Sequence, residues 1–286
     1  MSRIAYVNGR YVPHARAEVH IEDRGYQFAD GVYEVCEIYD GYIVDETRHL
    51  DRLERSLREL AIRMPVPRNA LRIILREVIR RNRVRDGMVY VQATRGVARR
   101  DHPFPPATTR PALVVTAKNV ARAKGDRMAE EGVGVITLPD NRWERVDIKS
   151  VGLLPNALAK QKAKEAGARE AWFVDRDGYV TEGASTTAWI VTPEGDLVTR
   201  PNGPEILPGV TRLTAAEVAH RAGLNVVERK FTVAEAKAAR EAFMTAASTI
   251  VMPIVTIDGF PVANGHPGLV AAQLRAAFHD VAEKLR

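Results

Sequence analysis

One cysteine, Cys36, stands in 286 residues. No internal disulfide can form, so the fold must hold without one, and Cys36 is expected to be a small core residue. No stretch reaches the roughly 18–20 consecutive apolar residues of a membrane span. The opening MSRIAYVNGR lacks the apolar segment of a secretory signal. A cytoplasmic location with no membrane partner is therefore expected. Internal repeats and low-complexity tracts are absent as well. No block of one charge stands out either. The net charge is +6, but Lys and Arg are interleaved with Asp and Glu along helical stretches. The basic clustering that nucleic-acid binding needs is missing. The densest run, Arg76 to Arg85, reads as the outer face of a helix end. A basic surface still attracts anionic substrates or a phosphorylated ligand. What is present, 45% hydrophobic and 27% charged residues, suffices for one large or two medium cores.

Turn chemistry punctuates the chain. Asn8-Gly9 joins IAYV to RYV, and both residues accept the positive φ of a type I′ hairpin. A second hairpin is expected from Val32 to Val44 around Asp40-Gly41. Between the two lies EDRGYQFADGVYEV, a mostly polar approach to a strand with Tyr33 just inside it. Leu50, Leu53, Leu57 and Leu60 recur at helical spacing from about 47 to 63, as do Leu71, Ile74, Leu75, Val78 and Ile79 from about 69. Pro65 and Pro67 break the chain between these helices. Strands follow at 89–94 and 112–117, separated by the proline-rich loop RGVARRDHPFPPATTRP. A loop of that length inside a compact domain tends to be functional. It carries Arg100 and His102, which point the same way in an extended segment. They read either as an exposed basic pair or as a trap for a carboxylate.

The polar stretch 119–131 is the linker candidate. It divides the chain into a smaller N-terminal domain, 1–118, and a larger C-terminal one, 132–286. Beyond it, a helix is expected at 155–166, strands at 171–174, 186–191, 224–228, 242–245 and 250–257, and a closing amphipathic helix. ILPGVTR opens another helix, running to about 222. Its first turn holds Val210 and Thr211, and a helix start with unpaired N–H groups suits a phosphate. Thr211 as a simple cap is the plainer reading. Ala247-Ser248-Thr249 falls between two strands, where small residues let a backbone approach a ligand.

VDIKS places Lys149 beyond a short strand-like run, and TEGAS brings Glu182 about thirty residues later. A lysine and an acid at opposite ends of a pyridine ring are what a pyridoxal 5′-phosphate enzyme needs. The lysine anchors the cofactor and moves a proton, and the acid keeps the ring nitrogen protonated. By spacing alone, a lysine near a strand end is more often a solvated charge.

The assembled pieces add to this. EDRGYQFADGVYEV, HLDRL, TRG followed by Arg100-x-His102, RW with DIKS, TEGAS and LPGVTR occur in one order along nearly the whole chain. Together they resemble the fold-type IV pyridoxal phosphate aminotransferases, and within them the D-amino acid aminotransferases. The resemblance implies a two-domain α/β fold (a small α/β domain, a linker and a larger domain with a β-barrel-like sheet) in a homodimer with the cofactor between domains. It implies that Lys149 is the Schiff-base lysine and proton carrier, that Glu182 pairs with the pyridine nitrogen and that Arg52 pairs with the phosphate. Val210 and Thr211 would hold the phosphate at the helix start, Ser248 would add a hydroxyl, and Leu207 would back the ring. Tyr33, Arg100 and His102 would form the substrate carboxylate site, with the Arg100 loop reaching in from the partner subunit. Substrates would be a D-amino acid and a 2-oxo acid in a ping-pong cycle; no metal is expected. The chain departs from the family pattern at Ala184 to Thr187 and at Ala246-Ala247, where hydroxyl and amide residues are common. The alternatives on the same fold are an L-branched-chain amino acid aminotransferase and an aminodeoxychorismate lyase. A non-catalytic homologue is the alternative outside enzymes.

Overall fold

The computed structural model describes residues 3–285. Two compact units emerge, one of residues 1–122, 148–152 and 283–286, the other of 123–147 and 153–282.

The first unit opens with the expected hairpin, β1 (Ile4–Val7) and β2 (Arg10–Pro13), with φ of 46° and 95° at Asn8 and Gly9. Helix α1 (Arg24–Phe28) follows, capped by the Asp23 carboxylate on the Gly25 N–H. Strand β3 (Gly31–Tyr39) turns at Asp40-Gly41 into β4 (Tyr42–Val44). Helices α2 (Glu46–Glu59) and α3 (Arg68–Asn82) come next, then β5 (Gly87–Thr94) and β6 (Ala112–Asn119). The sheet order is β4-β3-β5-β6-β1-β2, with the C-terminal strand Lys284–Leu285 added outside β4. Leu50, Leu53 and Leu57 of α2 and Leu71, Leu75 and Val78 of α3 bury against Val89, Val91 and Val115. This is the apolar stripe that the helical spacing announced. Cys36 is buried in that core as a free thiol.

The second unit holds α4 (Arg122–Glu131, begun at the boundary), β7 (Val133–Pro139), α5 (Leu154–Glu165), β8 (Glu170–Val174), β9 (Val180–Gly183), β10 (Thr187–Val191), β11 (Leu197–Thr199), α6 (Val210–Arg221), β12 (Val226–Glu228), α7 (Val233–Lys237), β13 (Glu241–Ala246), β14 (Ile250–Ile257), β15 (Phe260–Pro261) and α8 (Leu269–Val281). Its sheet runs β12-β11-β10-β13-β14-β7-β8-β9, with β15 on β14. The end strands curl back toward each other. Tyr179 bridges Thr232, and the Val180 N–H donates to the Phe231 carbonyl at 3.0 Å. This near-closure makes the sheet barrel-like. Inside it Trp172 meets Phe231 edge-on at 6.1 Å, and both rings are fully buried.

Three expectations need correction. The stretch expected as a linker carries helix α4, which buries only Ala129, so its polarity hid it. Residues 148–152 join the first unit rather than the C-terminal one, because Ser150 bridges Val32 and the Val151 N–H donates to the Gly31 carbonyl at 3.0 Å. The run before Lys149 is a turn, not a strand; Arg145 closes on the buried Asp147 at 3.0 Å and the chain bends around that pair. Among the described residues, no helix is long and apolar enough to cross a membrane.

Candidate active site

In the first unit Lys149 is gripped by its backbone, and its amine rests against an aromatic ring. Its carbonyl accepts the Tyr33 N–H at 3.0 Å, and its own N–H donates to Ser56 Oγ at 3.3 Å. Ser56 lies one turn beyond Arg52 on α2, so the lysine is registered against both β3 and that helix. The Lys149 Nζ sits 4.2 Å from the centroid of the Tyr33 ring, a cation–π position. Tyr33 stacks in turn on Tyr90 at 5.7 Å. Burial and the neighbouring Tyr33 push the Tyr90 phenol up to about 12, so Tyr90 stays protonated and donates to Gln92 Oε1 at 2.7 Å.

Arg52 is buried, and sequence reading missed what holds it. Glu34 Oε1 accepts from Arg52 Nε at 2.7 Å and Oε2 from Nη2 at 2.8 Å. His49 Nδ1 lies 2.8 Å from the same Oε2. Burial alone would raise the Glu34 carboxyl. The Arg52 charge and hydrogen bonds, with those of His49, outweigh it and hold Glu34 far below the ordinary carboxylate range. A signal was available. Val32, Glu34, Cys36 and Ile38 share one buried face of β3, and an acid on such a face requires a buried cation.

Arg100 and His102 lie in the same unit, on the exposed loop. Their side chains flank Phe28, Arg100 Cζ at 5.1 Å from the ring centroid and the His102 ring at 5.6 Å. Among the described residues no hydrogen bond, ion pair or ring contact joins either to Lys149 or Tyr33.

In the second unit Glu182 is held by Arg142, the arginine of the RW motif, to which the sequence assigned no role. Arg142 Nη1 donates to Glu182 Oε1 at 2.5 Å, while Arg142 Nε and Nη2 reach Asp140 at 2.9 and 2.8 Å. The Leu207 N–H donates to Glu182 Oε2 at 3.2 Å, bringing two expected residues together. Burial disfavours the Arg142 charge, but hydrogen bonds and charges from Asp140 and Glu182 more than offset it and raise its pKa. Glu182 thus lies directly against the Arg142 guanidinium. Arg142→Lys keeps the charge but loses the fork that spans both acids. The expected loss in unfolding free energy is about 1–2 kcal/mol, read by urea denaturation; an unchanged midpoint would refute the fork's role.

Val210 and Thr211 begin α6 after Gly209, both buried. Among the described residues their backbone N–H groups have no acceptor. Ser248 sits exposed in the turn between β13 and β14. The neighbouring Thr249 Oγ1 is buried without a partner, as is Thr186 Oγ1 after β9. In the first unit an amine and a buried arginine, and in the second helix-start N–H groups, a carboxylate and orphaned hydroxyls, are each of a kind that suits a phosphorylated pyridine.

The profile described as amino-transferase class IV matches residues 31–257. A D-alanine aminotransferase of Bacillus licheniformis is 39% identical over 273 residues, 96% of this chain and 95% of the relative. One of Staphylococcus haemolyticus is 37% identical, covering 97% of each. A solved T.th. branched-chain amino acid aminotransferase with pyridoxamine 5′-phosphate superposes with a TM-score of 0.89 at 26% identity, covering 98% of this chain and 94% of that one. The chain belongs to the amino-transferase class IV family.

Proposed function

We propose that the protein transfers an amino group between a D-amino acid and a 2-oxo acid, with pyridoxal 5′-phosphate as cofactor, and works as a homodimer. The observation that carries this reading is the near full-length similarity to D-alanine aminotransferases, at 36–39% identity. The Lys149 amine poised over Tyr33 supports it from the structure. A branched-chain reading draws on solved neighbours of lower identity, 26% or less. For the dimer, the support is apolar exposure in the first unit, with Ile21 and Tyr26 each 75% exposed and Phe104 63%.

Lys149 would anchor the cofactor. Arg52, the Val210 and Thr211 N–H groups and Ser248 would hold its phosphate, Leu207 would back the ring, and Glu182 would face the ring nitrogen. When bound, the cofactor supplies a sink for the electron pair left by the α-proton. Lys149 Nζ takes that proton and later returns one. Tyr33 fixes where the amine waits by offering its ring face. Glu182 is fixed for its role toward the ring nitrogen by the Arg142 guanidinium and the Leu207 N–H. Arg100, on a loop reaching in from the partner subunit, takes the substrate carboxylate through its fork, with His102 of that loop and the Tyr33 hydroxyl completing the site.

Which enantiomer reacts depends on where the carboxylate is anchored, because Lys149 takes a proton from one face only. An anchor on the Arg100 side presents the hydrogen of a D-amino acid. Single-turnover reactions with D-alanine, D-glutamate and L-leucine test the reading: the D-substrates should react faster. Arg100→Ala should weaken D-alanine use by tens-fold, about 2 kcal/mol. Faster turnover of L-leucine would overturn the assignment.

A further inference from the structure

The Arg100 loop lacks a secondary-structure ladder through residues 101–104, yet four consecutive residues of it are held by two buried arginines. Arg24 Nη1 donates to the Asp101 carbonyl at 2.6 Å and lies 3.4 Å from that of Pro103, and Nη2 reaches the His102 carbonyl at 3.3 Å. Arg95 Cζ stands 3.6 Å from the centroid of the Phe104 ring. One carboxylate joins the two arginines. Asp30 Oδ2 accepts from Arg24 Nε at 2.8 Å and from Arg95 Nε at 2.7 Å, and Oδ1 accepts from Arg95 Nη2 at 3.0 Å. Arg95 is tied further to the body by the carbonyls of Leu60 and Ala61 at 2.6 and 2.9 Å.

Backbone bonds register the parts. The Arg24 N–H donates to the Gly96 carbonyl at 2.9 Å and the Arg95 N–H to the Asp30 carbonyl at 3.0 Å. The far end of the loop closes at Gly96, whose φ of 97° and approach to the Arg110 carbonyl leave no room for a Cβ. The Arg24 and Arg95 side chains are 4% and 10% exposed, and that of Asp30 is 10%. Three charges at that depth, hydrogen-bonded through most of their donors, form a rigid unit rather than a solvated surface pair. Arg24 Cζ also stands 4.7 Å from the Phe28 ring that Arg100 and His102 flank, so the group that grips the loop backbone also braces the platform under its side chains.

We infer that Arg24 and Arg95, bridged by Asp30, are positioning residues that fix how the loop presents Arg100 and His102 to the substrate carboxylate. The inference rests on the carboxylate-binding role proposed above for those two residues. Because Arg24 grips main-chain carbonyls, it fixes the loop's course whatever side chains the loop carries. Fixing the course in advance removes an ordering cost that substrate binding would otherwise bear.

Two variants test it in the cofactor-loaded enzyme. Arg24→Lys keeps the charge facing Asp30 but cannot span three carbonyls. Phe104→Ala removes an exposed ring and loosens the Arg95 side, which keeps the test standing if Arg24→Lys fails to fold. In each, trypsin should cut after Arg99 or Arg100 about tenfold faster, as a loosened segment does. The kcat/KM for D-alanine should fall about tenfold, mainly through KM, since misplacing a binding group by about 1 Å can cost up to a hundredfold. Cofactor affinity should change less than about twofold. In an Arg100→Ala background each variant should add less than about twofold, because groups acting through one another do not add. A second independent tenfold loss there overturns the inference, as does an unchanged D-alanine KM in both variants or an unchanged trypsin rate. Should Arg100→Ala alone leave D-alanine kinetics unaltered, the carboxylate role itself falls, and the clamp is then judged on the trypsin rate alone.

Discussion

Lys149→Ala is expected to abolish turnover, with a fall of at least about a thousandfold, since the variant loses a covalent anchor and a general base together. The fold should survive. The main-chain bonds of residue 149 to Tyr33 and Ser56 do not depend on its side chain, and the lost amine leaves only a cation–π contact. A contact of that kind, partly exposed, is worth about 0.5–1 kcal/mol. Two measurements check this. Borohydride treatment of the cofactor-loaded wild type, followed by peptide mapping, should fix the label on the peptide carrying Lys149, while the variant takes none. Urea denaturation of the variant should give a midpoint close to wild type. Label on another lysine, or a fall in the variant's steady-state turnover of less than about a thousandfold, would end the assignment.

The structure explains why Lys149 could be found by motif and not by local pattern. Val146 and Ile148 favour a strand, and a strand would have put Lys149 at its end. The chain turns instead around the Arg145–Asp147 pair, and the pairing partner of residues 148–152 is β3, more than a hundred residues earlier in sequence. Long-range pairing of this kind leaves no mark in a local window. The hairpins were legible for the opposite reason: at Asn8-Gly9 and Asp40-Gly41 the turn residues alone require the positive φ that the structure shows. Helices α2 and α3 were legible because each buries one stripe. Strands β9 and β11 were not. Both are short and buried throughout, without alternation to read, and Glu182 lies inside the first of them.

The candidate site divides along the same line. Lys149, Tyr33, Arg52, Glu182 and Leu207 carry recognisable motifs, and the structure gives each of them a partner. Of those partners, Glu34, His49 and Arg142 lie inside the motifs EDRGYQFADGVYEV, HLDRL and RW, which do not say whom they pair with, and Ser56 lies in none. Ion pairs between separate elements depend on the fold being assembled. Arg142 meets Glu182 forty residues away, and Asp140 two residues before Arg142 gave no hint of it. Glu34 is the exception, because alternation in β3 already placed it among Val32, Cys36 and Ile38.

Glu34→Gln is expected to destabilise the protein by about 3–5 kcal/mol at neutral pH, the usual cost of breaking a buried ion pair from one side. Glutamine has the same shape, but it answers the Arg52 fork with one acceptor and an opposed N–H, and His49 loses its carboxylate. The pH dependence tells this loss apart from a packing defect. Glu34 has a depressed pKa in the folded protein, set by Arg52 and His49 against burial, and an ordinary value of about 4.3 when unfolded. Its contribution is therefore present in full above the unfolded value and is lost as pH falls toward the folded one. The stability gap between wild type and Glu34→Gln should be largest at pH 7 and shrink toward pH 3, measured by urea denaturation at each pH. A gap of equal size at both would mean that shape, not charge, makes the difference. The same substitution should weaken binding of pyridoxal 5′-phosphate by about tenfold, because Glu34 takes Nε and Nη2 of Arg52 and so fixes the plane in which the guanidinium is presented. Titration of the cofactor-free protein reads that loss directly, and unchanged affinity would separate Arg52 from the phosphate.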